Sequence, residues 1–233
     1  MLWPAAAEAI LIGGFNGSLD TGWSAFGDVS TVGSFNNVNP SEGSGMLRLT
    51  TADVSDEPSF NFSGNAPVLV GNSLENQLSL PSGIFDLAGD FGFEGSAVRR
   101  TLTVGANDSL IFEWSLLTTS SEPSFNDYGF FSVGNQLNVL ARTTDTSVLP
   151  GSPFDQRQAA GFSTQTFTFN TAGTFTIAFG VIDVNDGVGA SALLLDNVRV
   201  EQVPFEFNQD LVLAGVGLGF GLYAKTRFQG SKP

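Results

Sequence analysis

The most constraining feature of this chain is a two-residue apolar rhythm with no helical stripe beside it. In "SLIFEWSLL" Leu110, Phe112, Trp114 and Leu116 fall on one face, and in "TFTIAFGVIDV" Phe175, Ile177, Phe179 and Val181 do the same. Successive strand side chains point to opposite faces, so this spacing predicts half-buried β-structure. Further strands are expected over Met46–Thr51, Val98–Val104, Tyr128–Val133, Leu137–Arg142, Thr164–Asn170 and Ala190–Glu201. Turn formers separate them: Gly105-Ala106-Asn107-Asp108, Gly134-Asn135, Thr171-Ala172-Gly173 and Asn185-Asp186-Gly187. Short strands punctuated by turns, with no amphipathic helix, point to an all-β fold: an antiparallel β-sandwich of jelly-roll form. Most of the 22 phenylalanines then belong to its core.

Composition narrows the chemistry. With 233 residues, 42% of them hydrophobic, the chain can bury one sizeable core. It has no cysteine and no histidine, which excludes disulfides, thiolate chemistry, Cys/His zinc sites and a Ser-His-Asp triad. Any metal site must be built from oxygen, as calcium sites are. A net charge of −14, from 23 acids against 9 bases, argues against nucleic acid as a partner, because little is available to neutralise phosphates.

The first residues, "MLWPAAAEA", end in the small-x-small form of a signal-peptidase site at Ala7-Glu8-Ala9, but the apolar stretch is short and no basic residue precedes it. Residues 1–9 are therefore read as the remnant of an export signal, with an ordinary terminus as the alternative. The pentapeptide "EPSFN" occurs at Glu57–Asn61 and at Glu122–Asn126, but its flanks differ, so each copy reads as a turn entering a strand rather than as a duplicated half.

Several longer stretches carry a family resemblance: "LIGGFNGSLDTGW" (Leu11–Trp23), "FEGSAVRRTLTV" (Phe93–Val104), "LIFEWSLLT" (Leu110–Thr118), "FNDYGFFSV" (Phe125–Val133) and "FGVIDVNDGVGASALLLDNV" (Phe179–Val198). Together, over nearly the whole chain, they resemble the exported ectodomains of PEP-CTERM proteins. The end of the chain is similar to the cyanobacterial form of the PEP-CTERM sorting signal, with Val203, Pro204, Phe205, Glu206 and Phe207 in place of the name-giving motif. An apolar glycine-studded segment and the basic residues Lys225, Arg227 and Lys232 follow. The resemblance implies export, transient membrane anchoring and processing by an exosortase-type enzyme.

The tail has its own physics. Leu211–Tyr223 would make a helix of about 20 Å, short of a ~30 Å hydrocarbon core, and the span becomes feasible when extended from Phe205 to Phe228. Basic residues after it would keep the C-terminus inside. A last buried β-strand is the alternative, since glycine alternating with Val, Leu and Phe also has period two. The expected organisation is thus residues 1–9 as leader remnant, 10–202 as β-sandwich and 203–233 as a sorting segment ending in a hydrophobic helix.

The resemblance also implies a carbohydrate-binding type of jelly roll with a structural calcium between the opening motif and a late aspartate. Asp196 in "LLLDNV" is the leading ligand candidate, with Asn16 and Asp20 as companions, and turn capping is the alternative role for each. For glycan binding the sequence offers Trp23, Trp114 and Tyr128. Trp114 reads as core and Trp23 as closing the sandwich, leaving Tyr128 beside Asn126 and Asp127 as the surface candidate. Glu94, Glu113 and Asp127 could supply carboxylates for glycoside hydrolysis, but no spacing singles out a pair, so no enzyme is expected. The expected role is that of an exported surface or matrix protein whose sandwich serves adhesion or binds extracellular polysaccharide. The alternative is a self-associating structural matrix protein without a discrete ligand.

Overall fold

A computed structural model describes residues 8–203 of the chain, apart from residues 72, 88, 120–125, 146 and 158–159. The first four residues of the second "EPSFN" copy, the sorting motif from Pro204 onward and the basic residues Lys225, Arg227 and Lys232 lie outside the described residues. Among the described residues no helix is long and apolar enough to cross a membrane.

The chain from Ala9 to Gln202 forms one compact body. Its strands are β1 (Glu8–Gly13), β2 (Ser24–Phe26), β3 (Asp28–Val32), β4 (Met46–Thr50), β5 (Val68–Leu69), β6 (Gly92–Val104) and β7 (Ser109–Thr118), followed by β8 (Tyr128–Val133) and β9 (Gln136–Arg142). Then come β10 (Ser147–Leu149), β11 (Asp155–Arg157), β12 (Ser163–Thr168), β13 (Gly173–Val184) and β14 (Ser191–Gln202). Among the described residues one short helix, α1 (Leu74–Leu78), precedes β6.

Two antiparallel sheets result. The first runs β10-β11-β7-β14-β4-β3, with β1 also on β14 and β12 also on β7; the second runs β2-β6-β13-β8-β9, with β5 on β6. From β6 onward the chain alternates between them: β6 lies in the second sheet, β7 in the first, β8 and β9 in the second, β10 to β12 in the first, β13 in the second and β14 in the first. The expected all-β antiparallel sandwich is therefore the observed one.

The alternating residues meet where the rhythm predicts. Leu110, Phe112, Trp114 and Leu116 of β7 form one buried cluster with Ile177, Phe179 and Val181 of β13 and Leu193 and Leu195 of β14. The rings of Phe112 and Phe179 lie 4.7 Å apart at 70°, an edge-on contact across the two sheets. Trp23 closes one side of this cluster, its Nε1–H donating to the Ile12 carbonyl at 2.7 Å. At the β6–β7 turn Asn107 adopts φ +67, and the Asp108 carboxylate accepts from the Gly105 amide at 2.7 Å, as the Gly-Ala-Asn-Asp run predicts.

The half-buried reading needs correction, because the central strands are covered on both faces. Leu74, Leu78, Leu80 and Phe85 pack on the outer side of the second sheet against Ala97, Tyr128, Phe130, Ala178 and Ile182. Val38 and Phe154 do the same on the first sheet against Met46, Leu117, Ala192 and Leu194. The connections around residues 33–45, 70–91 and 150–154 thus act as lids. β6 also starts at Gly92, six residues before the expected Val98, because Glu94, Gly95 and Ser96 continue the ladder with Asp183, Ile182 and Val181 despite their polarity.

Candidate functional site

The three residues expected to hold calcium are each engaged by hydrogen-bond donors of this chain. The Asp20 carboxylate accepts from the amides of Gly14 and Phe15 at 2.8 and 3.0 Å. Asn16 Oδ1 accepts from the amides of Ser44 and Gly45 at 2.5 and 3.1 Å. Asp196 Oδ2 accepts from the amides of Ser41 and Glu42 and from the Ser41 hydroxyl, at 2.8, 3.0 and 3.0 Å. This is turn-capping geometry, the alternative role considered above: the side chains tie the opening loop and the 41–45 loop to β14. Among the described residues no group of three or more Asp, Glu, His or Cys side chains could hold a metal ion.

Tyr128 is not a surface residue. It is fully buried, and its hydroxyl donates to the Phe85 carbonyl at 2.8 Å. The alternation of β8 does turn it to the outer face of the second sheet, but the Phe85 segment covers that face. Asp127 is also buried, accepting from the Val184 amide at 3.2 Å and the Ser191 hydroxyl at 2.5 Å. Asn126 stays half-exposed; its Nδ2 donates to Asp90 Oδ2 at 2.6 Å, and its Oδ1 accepts from the Thr144 hydroxyl at 3.1 Å.

Asn126 thereby belongs to a surface that the sequence reading missed. Asp90 Oδ1 also accepts from Asn185 Nδ2 at 3.2 Å, and Asn185 exchanges hydrogen bonds with the Phe91 backbone at 2.9 and 2.7 Å. Asn185 can serve this way because it sits at φ +68, in the turn after β13, a conformation asparagine tolerates. Phe91 and Phe93 flank this network and are 67% and 44% exposed. Gly187 abuts the second ring: a Cβ there would come within 3.1 Å of Phe93. Exposed rings beside amides and carboxylates are what a saccharide needs, because its C–H faces stack and its hydroxyls hydrogen-bond. The signal was present in "DFGFEG", but two phenylalanines spaced by two read as core unless the cover is known.

Behind this edge the space between the sheets is acidic. Glu94 faces Asp183 across the β6–β13 ladder and is 9% exposed. Burial, with Asp53, Glu57 and Asp56 adding repulsion, pushes its carboxyl up to about 7. Asp127 and Asp183 are a tightly coupled buried pair held above the usual carboxylate range, chiefly by loss of solvent. Among the described residues Asp183 Oδ1 has no hydrogen-bond partner. Neutral, proton-bearing carboxyls are the state that such an enclosure favours.

No family model matches the chain, and no curated protein matches it. Solved structures similar to it include a cleaved adhesin domain of Lys-gingipain from Porphyromonas gingivalis, 10% identical, with a TM-score of 0.47, covering 85% of this chain and 99% of that one. Another is CBM27-1 of Caldicellulosiruptor saccharolyticus in complex with mannohexaose, 12% identical, with a TM-score of 0.44, covering 83% of this chain and 97% of that one. A third is the CBM22-1 xylan-binding domain of Paenibacillus barcinonensis Xyn10C, 12% identical, with a TM-score of 0.38, covering 86% and 98%.

Proposed function

We propose that this protein is an exported surface or matrix protein whose β-sandwich binds polysaccharide without transforming it. The observation that supports this most is the exposed Phe91–Phe93 edge beside the Asp90–Asn126–Asn185 network. Rigid rings supply stacking area at low entropic cost, and side chains already tied to one another keep their polar atoms in place. Catalysis is not part of this reading. Asp127 is engaged inside the sandwich, and Glu113 lies on β7 in the other sheet, where Oε1 accepts from Asn197 Nδ2 at 3.3 Å.

Delivery falls to the tail, which resembles a PEP-CTERM signal: an exosortase-type enzyme would remove the apolar segment after export. Mass spectrometry of the mature protein from its native cell tests this, and a secreted form retaining Leu211–Pro233 intact would count against processing.

Binding is tested by polysaccharide pull-down with the full chain. Phe91→Ala combined with Phe93→Ala should weaken retention on polysaccharide at least tenfold while leaving the melting temperature within a few degrees, since both rings are already exposed. Unchanged retention would remove the proposed edge. Concentration-dependent assembly without any saccharide binding would favour a self-associating matrix component instead.

A further inference from the structure

The compact body contains no lysine and six arginines, Arg48, Arg99, Arg100, Arg142, Arg157 and Arg199. Arg48, Arg157 and Arg199 are each ion-paired, to Asp28, Asp155 and Glu201. Arg142 lies over the Tyr128 ring at 5.6 Å. Arg99 and Arg100 also lie over rings, those of Phe26 and Trp23 at 5.5 and 5.9 Å, but they share one setting. They are adjacent on β6, among the described residues neither is paired with a carboxylate, and both line one polar cleft of about 230 Å³.

The cleft lies where β2 borders β6, roughly 20 Å along β6 from Phe93 at about 3.3 Å per residue. Hydroxyls of Ser24, Ser79, Thr101 and Thr176 complete its lining. Each guanidinium is anchored by one nitrogen: Arg99 Nη1 donates to the Ser79 hydroxyl at 3.1 Å, and Arg100 Nη1 donates to the carbonyls of Ile12 and Thr21 at 2.8 and 3.0 Å. A guanidinium has five N–H donors, so both forks retain donors for a ligand. Gly22 lies against the Arg100 guanidinium at φ +92, where a Cβ would come within 3.3 Å of it. The loop therefore holds Arg100 in place at a position suited to glycine.

Neither guanidinium has a carboxylate partner among the described residues, although the chain has acids in excess from which to supply one. We infer that the cleft binds the carboxylate of an acidic, uronate-type saccharide, with the arginines engaging the acid group and the serine and threonine hydroxyls engaging the ring hydroxyls. This rests on the reading of the sandwich as a polysaccharide binder and adds a charge preference to it. Arginine forks match a carboxylate bidentately, which lysine does not. The net charge of −14 makes a densely charged polyphosphate a poor partner, whereas a saccharide carrying one acid per ring concentrates its charge where the cleft is positive. The cleft is smaller than a typical ligand pocket of ~300–1,000 Å³, which suits a single sugar unit.

The test is calorimetric titration of the full chain with an oligogalacturonate and with its carboxyl-reduced neutral counterpart. The acidic form should bind at least tenfold more tightly than the reduced form at low salt, and the difference should shrink as salt rises. Arg99→Gln should cut that difference at least threefold, with Arg100 supplying what remains, and Arg99→Lys should recover only part of the loss. Arg99→Gln is the primary variant because the guanidinium makes one exposed hydrogen bond, to Ser79, and lies over the Phe26 ring at 5.5 Å, so its melting temperature should stay within a few degrees of the parent's. Equal binding of acidic and reduced forms, or full preference retained in Arg99→Gln, would overturn the inference while leaving the Phe91–Phe93 reading standing. Absence of binding to either form and to neutral polysaccharides would remove both. A sulfated oligosaccharide or a single-stranded oligonucleotide that binds more tightly than the oligogalacturonate, and loses that advantage in Arg99→Gln, would overturn the carboxylate assignment.

Discussion

Tyr128 shows what a single residue owes to its surroundings. Its ring sits among Phe85 and Phe130, and its hydroxyl satisfies one backbone carbonyl. Burial, partly offset by Arg142, raises its ionisation well above the usual tyrosine range, so it stays neutral at any physiological pH. Tyr128→Phe should keep the packing but orphan the Phe85 carbonyl, costing about 1–2 kcal/mol by urea denaturation. It should leave saccharide binding unchanged, because Tyr128 is inside the fold; a specific loss of binding in a stable Tyr128→Phe protein would contradict that placement. The sequence put Tyr128 beside Asn126, and only Asn126 reaches the surface network.

At the level of elements, β4 carries a charge into a covered face. Arg48 is fully buried, hydrogen-bonded to Asp28 at 3.3 Å and stacked 3.8 Å from the Phe62 ring centroid. Burial lowers its guanidinium to about 10, against the opposing pull of Asp28, so it remains charged at neutral pH. Asp28 in turn accepts from the amides of Phe62 and Ser63 at 3.2 and 2.8 Å, fixing the 60–63 loop over the sheet. Arg48→Ala would strand that carboxylate without its cation and should cost roughly 3–5 kcal/mol of unfolding free energy. A loss below 1 kcal/mol would mean that the loop amides and the Thr50 hydroxyl hold Asp28 without the cation. The alternation of "MLRLT" told which face Arg48 takes, but not that the face is covered.

For the whole molecule, the acidic space between the sheets sets the pH dependence. Glu94 is raised from about 4.5 to about 7, and the Asp127–Asp183 pair shifts the same way. Between those pH values the folded state holds protons that the unfolded state has released, so stability falls as pH rises through the window. The penalty is complete above about pH 7 for Glu94 and absent below about pH 4.5. Denaturation curves should show the protein more stable at pH 5 than at pH 8, by roughly 1–3 kcal/mol from Glu94. Asp183→Asn, which replaces a protonated acid by a neutral near-isostere, should flatten the profile; a rise in stability from pH 5 to pH 8 would show that these carboxyls are ionised in the fold.

Taken alone, the sequence determined the strand rhythm, the turns and the exclusion of thiol and imidazole chemistry, because all of these depend on residue identity and on neighbours a few positions away. It assigned Phe112, Trp114 and Phe179 to the core correctly, since period two fixes which side of a strand a residue occupies. Tertiary structure decided what covers each side. The connections carrying Phe85 and Phe154 buried Tyr128 and Leu194 on outer faces that alternation would leave open, while among the described residues no such cover reached Phe91 and Phe93. It also brought Ser24, Ser79 and Thr176 from three separate segments around Arg99 and Arg100. Cover and convergence arise from contacts between residues far apart in the chain, and local spacing carries no record of them.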